Sequence, residues 1–173
     1  MARVDSTERR PVYISKSEIA RCHRLARCRE EGALETKHRV LIAAQPEAWQ
    51  ILAGALNDVA ELFPAHTMVD AFRVLETQAI DLIVCTIAFD DSRMVDFLQT
   101  VKRGISVGRI PFLCVRVIRG VVSDELVSSM RTSCAQCGAL DLIDVAKLPP
   151  PRARAVLRAA VNASLSTYKP NWH

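Results

Sequence analysis

The feature that most constrains the fold is a change of rhythm that begins at Arg39. From there on, short runs of apolar, often β-branched residues alternate with longer amphipathic stretches. Continuous apolar runs are typical of parallel strands buried on both faces, and the amphipathic stretches predict crossover helices between them. With right-handed crossovers, this pattern predicts an α/β fold with a doubly wound, five-stranded parallel sheet of order 2-1-3-4-5. The predicted strands span residues 40–43, 63–66, 82–86, 112–117 and 140–145.

Five helices are predicted between and after these strands. The first is opened by Pro46, a residue that suits the first turn of a helix, and it extends to about Leu62. Ser123 is a suitable cap for the fourth helix, and Gly138 is available to end it. The others are expected over residues 68–77, over residues 92–103 and from residue 149 onward.

Composition favours one compact domain with an extension. Half of the 173 residues are apolar, which is enough to build a core. The 23 basic and 19 acidic residues are spread along the chain, so nucleic-acid binding is not indicated. No apolar run approaches the roughly 20 residues of a membrane span, and the polar start lacks the apolar segment of a signal peptide. We therefore expect a cytoplasmic protein with no membrane contact, with reduced cysteines, and with Cys85 and Cys114 in the core.

Residues 1–37 differ in kind from the rest and are predicted to form an N-terminal extension with one helix, over about residues 17–31. Apolar side chains at helical spacing give this helix a narrow stripe beneath several arginines. Such a stripe needs a partner surface, on its own domain or on a second subunit, and a nucleic-acid-binding arm is the other interpretation. Residues 38–166 are predicted to form the α/β domain, and residues 167–173 a loose tail.

Several stretches of this pattern resemble the receiver domain of bacterial response regulators. Residues 69–75 followed by 81–84 look like the family's second helix leading into its third strand. Residues 110–115 look like its fourth strand, and residues 137–139 like the approach to its fifth. The resemblance covers about residues 39–165, and it implies a flavodoxin-like fold and a role in two-component signalling.

The family's phosphotransfer chemistry needs groups that this sequence lacks. Two acidic residues after the first strand hold Mg²⁺, and an aspartate at the end of the third strand accepts the phosphoryl group. The acidic pair aligns with Ala44 and Gln45, and the phosphoaccepting aspartate aligns with Thr86. A neutral hydroxyl forms a stable ester rather than a reactive acyl phosphate, so the resemblance predicts no phosphotransfer of the family's type.

Two further positions that normally bind the phosphoryl oxygens also differ. Arg116 stands where the family has a hydroxyl or an amine after the fourth strand. Asp144 is in register with the family's lysine after the fifth strand, and Lys147 follows three residues later. The predicted pocket is thus degenerate at the metal site, at the nucleophile and at both of these positions.

Nearby carboxylates leave an alternative open. Asp90, Asp91 and Glu47 fall in loops at the same edge of the sheet, and a shifted alignment would let one of them replace the missing aspartate. The simpler interpretation is that Asp91, or Ser92 beside it, caps the following helix. Arg116 either pairs with one of the three carboxylates and fixes one conformation, or extends its head into water.

Four of the six cysteines allow a second kind of site. Cys22 and Cys28 lie in the extension, and Cys134 and Cys137 form a CxxC pair at the end of the fourth predicted helix. Both pairs are expected at the amino edge of the sheet, where a tetrahedral Zn²⁺ would staple the extension to the domain. A redox role for the CxxC pair and ordinary thiols without a ligand are the remaining interpretations.

Together these observations predict a non-catalytic pseudo-receiver that acts as a protein-interaction module in bacterial signalling. Its expected partner is a signalling protein or a second copy of the chain, because no nucleic-acid-binding motif follows the receiver-like region. By resemblance, the surface over residues 123–164 is a candidate for that contact. No cofactor is expected apart from the zinc alternative. A phosphoacceptor using Asp90 or Asp91, and a zinc-dependent or thiol-dependent sensor, are the rival functions.

Overall fold

The computed structural model describes residues 37–120 and 122–167. The predicted N-terminal helix, with Cys22 and Cys28, lies outside the described residues. The strands are β1 His38–Ala43, β2 Ala60–Ala65, β3 Leu82–Thr86, β4 Phe112–Arg116 and β5 Asp141–Asp144. The helices are α1 Pro46–Leu56, α2 Met68–Thr77, α3 Met94–Arg103, α4 Asp124–Gln136 and α5 Pro150–Thr167. The strands form one parallel sheet of order β2-β1-β3-β4-β5, which confirms the predicted flavodoxin-like topology.

The helices cover the sheet on both faces. α1 and α5 pack on one face, and α2, α3 and α4 pack on the other. Leu82 and Val84 of β3 join the first layer, whereas Ile83 and Cys85 join the second, as the alternation of side chains along a strand requires. Every residue of β3 is buried, so its continuous apolar sequence follows from burial on two sides.

Phe97 of α3 is the centre of the larger apolar layer. Its fully buried ring lies 5.5 Å from Phe72 of α2, 5.3 Å from Phe89 and 5.6 Å from Phe112 of β4, measured between ring centroids. Tilted and edge-on pairs at these separations add to the burial of the rings. Because Phe89 lies in the loop after β3, this cluster anchors the loop that borders the predicted pocket.

α1 ends at Leu56 rather than near Leu62, so the prediction of the first helix overran. Arg154 and Arg158 of α5 donate to carbonyl oxygens in the last turn of α1, which satisfies these acceptors without a further helical turn. The residues that follow form β2 instead. They pair with β1 along its whole length and so cover its backbone edge.

α4 begins and ends as predicted. The Ser123 hydroxyl accepts a hydrogen bond from the Leu126 N–H at 3.3 Å, which caps the first turn. Gly138 follows the helix with a φ of +91°, a conformation that favours glycine. Within the described parts of the chain, no helix is long and apolar enough to cross a membrane.

Candidate functional site

The residues assigned to the pocket by resemblance lie along the carboxyl ends of four strands. The register of β1 on β3 places Ala44 beside Thr86, and Gln45 follows Ala44 at the start of α1. The register of β4 on β5 pairs Arg116 directly with Asp144. The structure therefore brings all five positions to one edge of the sheet, where ligands bind in doubly wound folds.

The end of β1 carries no charge. Ala44 is fully buried, its N–H donates to Ala65 O at 3.0 Å, and its carbonyl oxygen lies 2.7 Å from His66 Nδ1. Gln45 occupies the N-cap position of α1 and makes no side-chain cap hydrogen bond. The acidic residue in the first turn of α1 is the exposed Glu47. The backbone at this position is satisfied, and the side chains offer a methyl group and an amide.

The end of β3 is buried and apolar around one hydroxyl. Thr86 is 3% exposed, and its Oγ1 has no hydrogen-bond partner. Residues 87–89, which follow it, are also buried. A buried hydroxyl without a partner lowers stability, because it has lost its hydrogen bonds to water. Thr86 is therefore an orphaned polar group at the position where the family has its nucleophile.

The two candidate substitutes for that nucleophile lie in a left-handed turn. Asp90, Asp91 and Ser92 have φ values of +44°, +56° and +66°. Asp90 Oδ2 accepts a hydrogen bond from Met68 N at 3.2 Å, at the start of α2, and lies 3.7 Å from Arg93 Nη1. The Asp90 carboxylate is thus engaged in joining two loops. Asp91 is exposed.

The predicted cap of α3 by Asp91 or Ser92 is wrong. α3 begins at Met94, two residues later than predicted, and Arg93 occupies its N-cap position without a side-chain cap hydrogen bond. The three residues before Arg93 have the left-handed backbone conformation, with positive φ. A right-handed helix therefore cannot begin where the prediction placed its first turn.

The end of β4 contrasts with these neutral ends because it carries a buried cation. Arg116 is 4% exposed. Its Nη1 donates to Asp124 Oδ1 at 2.9 Å and to Asp144 Oδ2 at 3.1 Å, and its Nη2 donates to Val122 O at 2.8 Å. Its Nε has no partner. The guanidinium is thus held by two carboxylates and one backbone carbonyl.

The pKa values of this cluster follow from its contacts. The hydrogen bond to Asp124 raises the pKa of Arg116, and the Asp144 carboxylate adds to the effect. Hydrogen bonds from Lys147 Nζ and from Arg116 lower the pKa of Asp124 below its usual range. Both shifts favour the charged forms, so the ion pairs are present at neutral pH.

Both sequence-based interpretations of Arg116 are wrong. It does not pair with Asp90, Asp91 or Glu47, and its head does not extend into water. Its partners are the carboxylate across the β4–β5 register and the acid in the first turn of α4. Sequence reasoning did not connect Asp124 with Arg116, because only the fold of the β4–α4 loop brings the two together.

A second arginine ties the same two loops together. Arg119 Nε donates to Ala146 O at 2.8 Å, and its Nη2 donates to Lys147 O at 3.1 Å. Asp144 Oδ1 accepts from Ala146 N at 3.1 Å, so it orders the β5–α5 loop as well as binding Arg116. The β4–α4 and β5–α5 loops are thus joined by side chains of both. Sequence reasoning missed the part played by Arg119.

The residues at the strand ends do not fit the Mg²⁺ that the family binds. Mg²⁺ prefers charged and neutral oxygen ligands in near-octahedral geometry. The two positions after β1 supply no carboxylate, and Thr86 supplies a neutral hydroxyl surrounded by apolar residues. Of the acids at this edge, Asp124 and Asp144 are paired with arginine and lysine, and Asp90 is bound to Met68 N–H and lies near Arg93.

The described cysteines occupy different environments. Cys85 and Cys114 are buried in the core, as predicted. Cys134 is also buried, whereas Cys137 is half-buried and its Sγ lies 3.5 Å from Gln99 Nε2. Residues 37–120 and 122–167 contain no group of three or more side chains placed to hold a metal ion. The proposed zinc site also needs the two cysteines of the extension, so it stays a prediction.

Solved structures with the same fold are receiver domains. A receiver domain of a signal transduction histidine kinase from Syntrophus aciditrophicus is 19% identical, with a TM-score of 0.61 over 78% of this chain and 94% of that one. The receiver domain of NtrX from Brucella abortus is 19% identical, with a TM-score of 0.59 over 75% of this chain and 99% of that one. The chemotaxis response regulator CheY4 of Vibrio cholerae is 16% identical, with a TM-score of 0.58 over 75% of this chain and all of that one.

No family model matches the sequence, and no curated protein matches it either. Because these sequence identities are all below one in five, the structural likeness establishes the fold alone. The described part of the chain has the fold of a response-regulator receiver domain.

Proposed function

We propose that this protein is a pseudo-receiver: a receiver-fold module that works in two-component-type signalling without accepting a phosphoryl group. The observation that carries the proposal is the end of β1 and β3, where Ala44, Gln45 and Thr86 replace every acid that the chemistry needs. The nearest carboxylate in sequence, Asp90, is bound to the first residue of α2. At these strand ends, neither a metal ion nor an acyl phosphate has a carboxylate to form on.

The cluster around Arg116 supports a fixed conformation of the β4–α4 loop. In an active receiver, groups at these positions contact a phosphoryl group that comes and goes. Here a permanent guanidinium binds Asp124, Asp144 and the carbonyl of Val122. Because the ion pairs are intramolecular and the arginine is buried, the loop is ordered without any modification.

The proposed action is non-catalytic and runs through contact with another protein. Exposed apolar side chains, Leu126 at 48% and Leu140 at 49%, lie on the α4 and β5 side of the domain. A signalling protein or a second copy of the chain would cover them. The free thiols of the described residues suit the reducing cytoplasm, where we place the protein.

The test of phosphorylation uses the full chain, Mg²⁺ and a small phosphodonor such as acetyl phosphate, followed by intact mass spectrometry. We expect no gain of a phosphoryl group. A gain that disappears in the Asp90→Asn, Asp91→Asn double variant would instead establish the rival phosphoacceptor. An active receiver domain treated in parallel controls for the donor.

A second measurement separates loss of the nucleophile from loss of the metal site. Thr86→Asp restores the carboxylate at the end of β3 but leaves Ala44 and Gln45 unchanged. We expect this variant to remain unphosphorylated, because no acidic pair holds Mg²⁺ beside the new aspartate. Phosphorylation of Asp at position 86 would mean that a metal site survives and that the pocket is not degenerate.

A further inference from the structure

The turn between α3 and β4 carries the most exposed large apolar side chain of the described residues. Ile105 is 94% exposed, whereas the next in rank, Val69 on α2, is 68% exposed. α3 ends at Arg103 and β4 begins at Phe112. The turn therefore lies at the amino edge of the parallel sheet, opposite the edge that carries the degenerate pocket. Water surrounds an isoleucine there, which is unfavourable unless another molecule covers it.

Backbone contacts make this turn compact. The Gly108 N–H donates to Gly104 O at 2.8 Å, and the Ile110 N–H donates to Val107 O at 3.0 Å. The Val107 side chain packs against the core. A β-carbon on Gly108 would lie 2.5 Å from Gly104 O, so this close approach requires glycine. The turn is thus built from its own hydrogen bonds, with Ile105 on its outer side.

A lysine of α3 ties the turn to the helix. Lys102 Nζ donates to Ile110 O at 2.8 Å and to Gly108 O at 3.2 Å. Its ammonium group thus binds carbonyl oxygens on both sides of Arg109, and the path of the chain between them is fixed. A segment that is already ordered loses little conformational freedom on binding, so more of its contact energy appears as affinity.

The charge around Ile105 has one sign. Arg103 and Arg109 flank it in sequence, and both are exposed. Within residues 37–120 and 122–167, neither arginine makes an ion pair or a hydrogen bond. Residues 97–123 contain no aspartate or glutamate. The turn therefore presents an apolar tip with a basic rim.

We propose that the turn at residues 104–110 is a docking surface for a partner protein with a concave apolar pocket and carboxylates at its rim. The pocket buries Ile105 on all sides, and the carboxylates pair with Arg103 and Arg109. This inference rests on the proposed action through a protein partner, but not on the lack of phosphotransfer. It adds a second contact surface, separate from the one that contains Leu126.

The chemistry of the tip favours a protein over a membrane or a nucleic acid. An isoleucine side chain is smaller than a myristoyl chain, and even that chain by itself gives only marginal membrane binding. A nucleic-acid backbone offers phosphates to the arginines but no apolar pocket to Ile105. A pocket with an acidic rim satisfies both the apolar tip and the basic rim.

The first experiment identifies what contacts the turn. The full chain, with p-benzoylphenylalanine in place of Ser106, is irradiated in the cells that naturally produce it, and a second form carries the same group in place of Leu126. We expect residue 106 to link to a protein that mass spectrometry identifies. A link from residue 126 alone overturns the docking surface but not the proposed protein contact, whereas no link from either position overturns both. Links from residue 106 only to lipid, nucleic acid or a second copy of the chain also overturn the proposed partner.

The second experiment measures binding of the identified protein, purified, to variants of the full chain. Ile105→Ser should raise its Kd by about tenfold or more, chiefly through faster dissociation, because the apolar anchor is lost. The double variant Arg103→Glu, Arg109→Glu should slow association by roughly tenfold and remove its dependence on salt, because these charges steer the approach.

Val69→Ser is the matched control, since it removes an exposed β-branched side chain far from the turn. It should leave both rate constants unchanged, and circular dichroism checks that every variant is folded. Unchanged binding by Ile105→Ser, or faster association by the double arginine variant, overturns the proposal.

Discussion

Two halves of the same sheet edge have opposite character. At the ends of β1 and β3 the side chains are neutral, and Thr86 is buried with an unpartnered hydroxyl. At the ends of β4 and β5, Arg116, Asp124, Asp144 and Lys147 form a chain of ion pairs. In a phosphorylated receiver the acids belong to the first half. Here the strand ends of the first half, at Ala44, Gln45 and Thr86, carry no acid, and the ion pairs of the buried Arg116 lie in the second half, where they hold loops.

This difference teaches that one sheet edge holds two kinds of packing. The end of β3 is part of the apolar interior, whereas the ends of β4 and β5 form a clamp of ion pairs that joins loops. If this contrast is correct, substitutions in the charged half should have the larger effect on stability.

Arg116→Met should have the largest effect on stability. The variant keeps most of the apolar stem but leaves Asp144 and Asp124 without their shared cation. The free energy of unfolding should therefore fall by about 2–3 kcal/mol. Urea unfolding followed by circular dichroism measures the change. Arg119→Met is the matched control, because its exposed guanidinium binds backbone carbonyls only, and its loss should cost about 1 kcal/mol or less. Equal losses in the two variants would contradict the clamp.

Thr86→Val should raise the free energy of unfolding, whereas Arg116→Met in the charged half should lower it. The substitution replaces the orphaned hydroxyl by a methyl group of similar size, which we expect to stabilise the fold by about 1 kcal/mol. The matched control is Thr100→Val on α3, where the hydroxyl donates to Asp96 O at 2.7 Å. That variant should not gain stability. A less stable Thr86→Val protein would show that the hydroxyl has a partner, and would weaken the contrast.

Ser92→Gly should stabilise the neutral half by a smaller amount. A left-handed serine costs about 1 kcal/mol relative to glycine, and the greater freedom of glycine in the unfolded chain offsets part of this gain. The net increase should be about 0.5 kcal/mol in urea unfolding. Ser129→Gly in the middle of α4 is the control, and there the same change should destabilise by about 0.5 kcal/mol, because glycine has a lower helix propensity than serine.

Acid should remove the stabilising ion pairs of the charged half, because Asp124 becomes protonated. The folded-state pKa of Asp124 is lowered, so its stabilising contribution is complete above the unfolded value of about 3.9 and is lost as pH falls through the lower folded value. Asp124→Asn should therefore flatten the loss of stability below about pH 5. Asp91→Asn, at an exposed position after β3, is the matched control. Parallel profiles for the wild type and Asp124→Asn would remove Asp124 from the clamp.

Most of the sheet was predictable from the sequence, because β1, β3 and β4 each contain a continuous apolar run. The five-strand order followed from the alternation of runs and amphipathic stretches and from the handedness of crossovers. The first helix was predicted too long, since amphipathic spacing continues past Leu56 and the arginines that satisfy its last turn lie about a hundred residues away. The residue pattern of α1 does not show that side chains of α5 bind the carbonyl oxygens of its last turn.

The candidate site was predictable in its positions but not in its contacts. Alignment placed Ala44, Thr86 and Arg116 at one edge, because strand ends are set by the strand pattern. The partners of Arg116 were mispredicted, because they depend on the path of the β4–α4 loop and on which face of β5 carries Asp144. Aspartate adopts left-handed backbone more readily than most residues, but residue type does not predict three such residues in a row, as at residues 90–92.

By itself, the sequence determined the receiver fold and the neutral residue types at the ends of β1 and β3, since burial patterns and residue types are local properties of the chain. The tertiary structure alone decided the contacts around these positions: Arg116 is buried between two carboxylates, and Asp90 is bound to the start of α2. Each of these contacts joins residues whose distance is set by loop paths and helix packing. Such distances depend on the whole fold, whereas strand and helix periodicity does not.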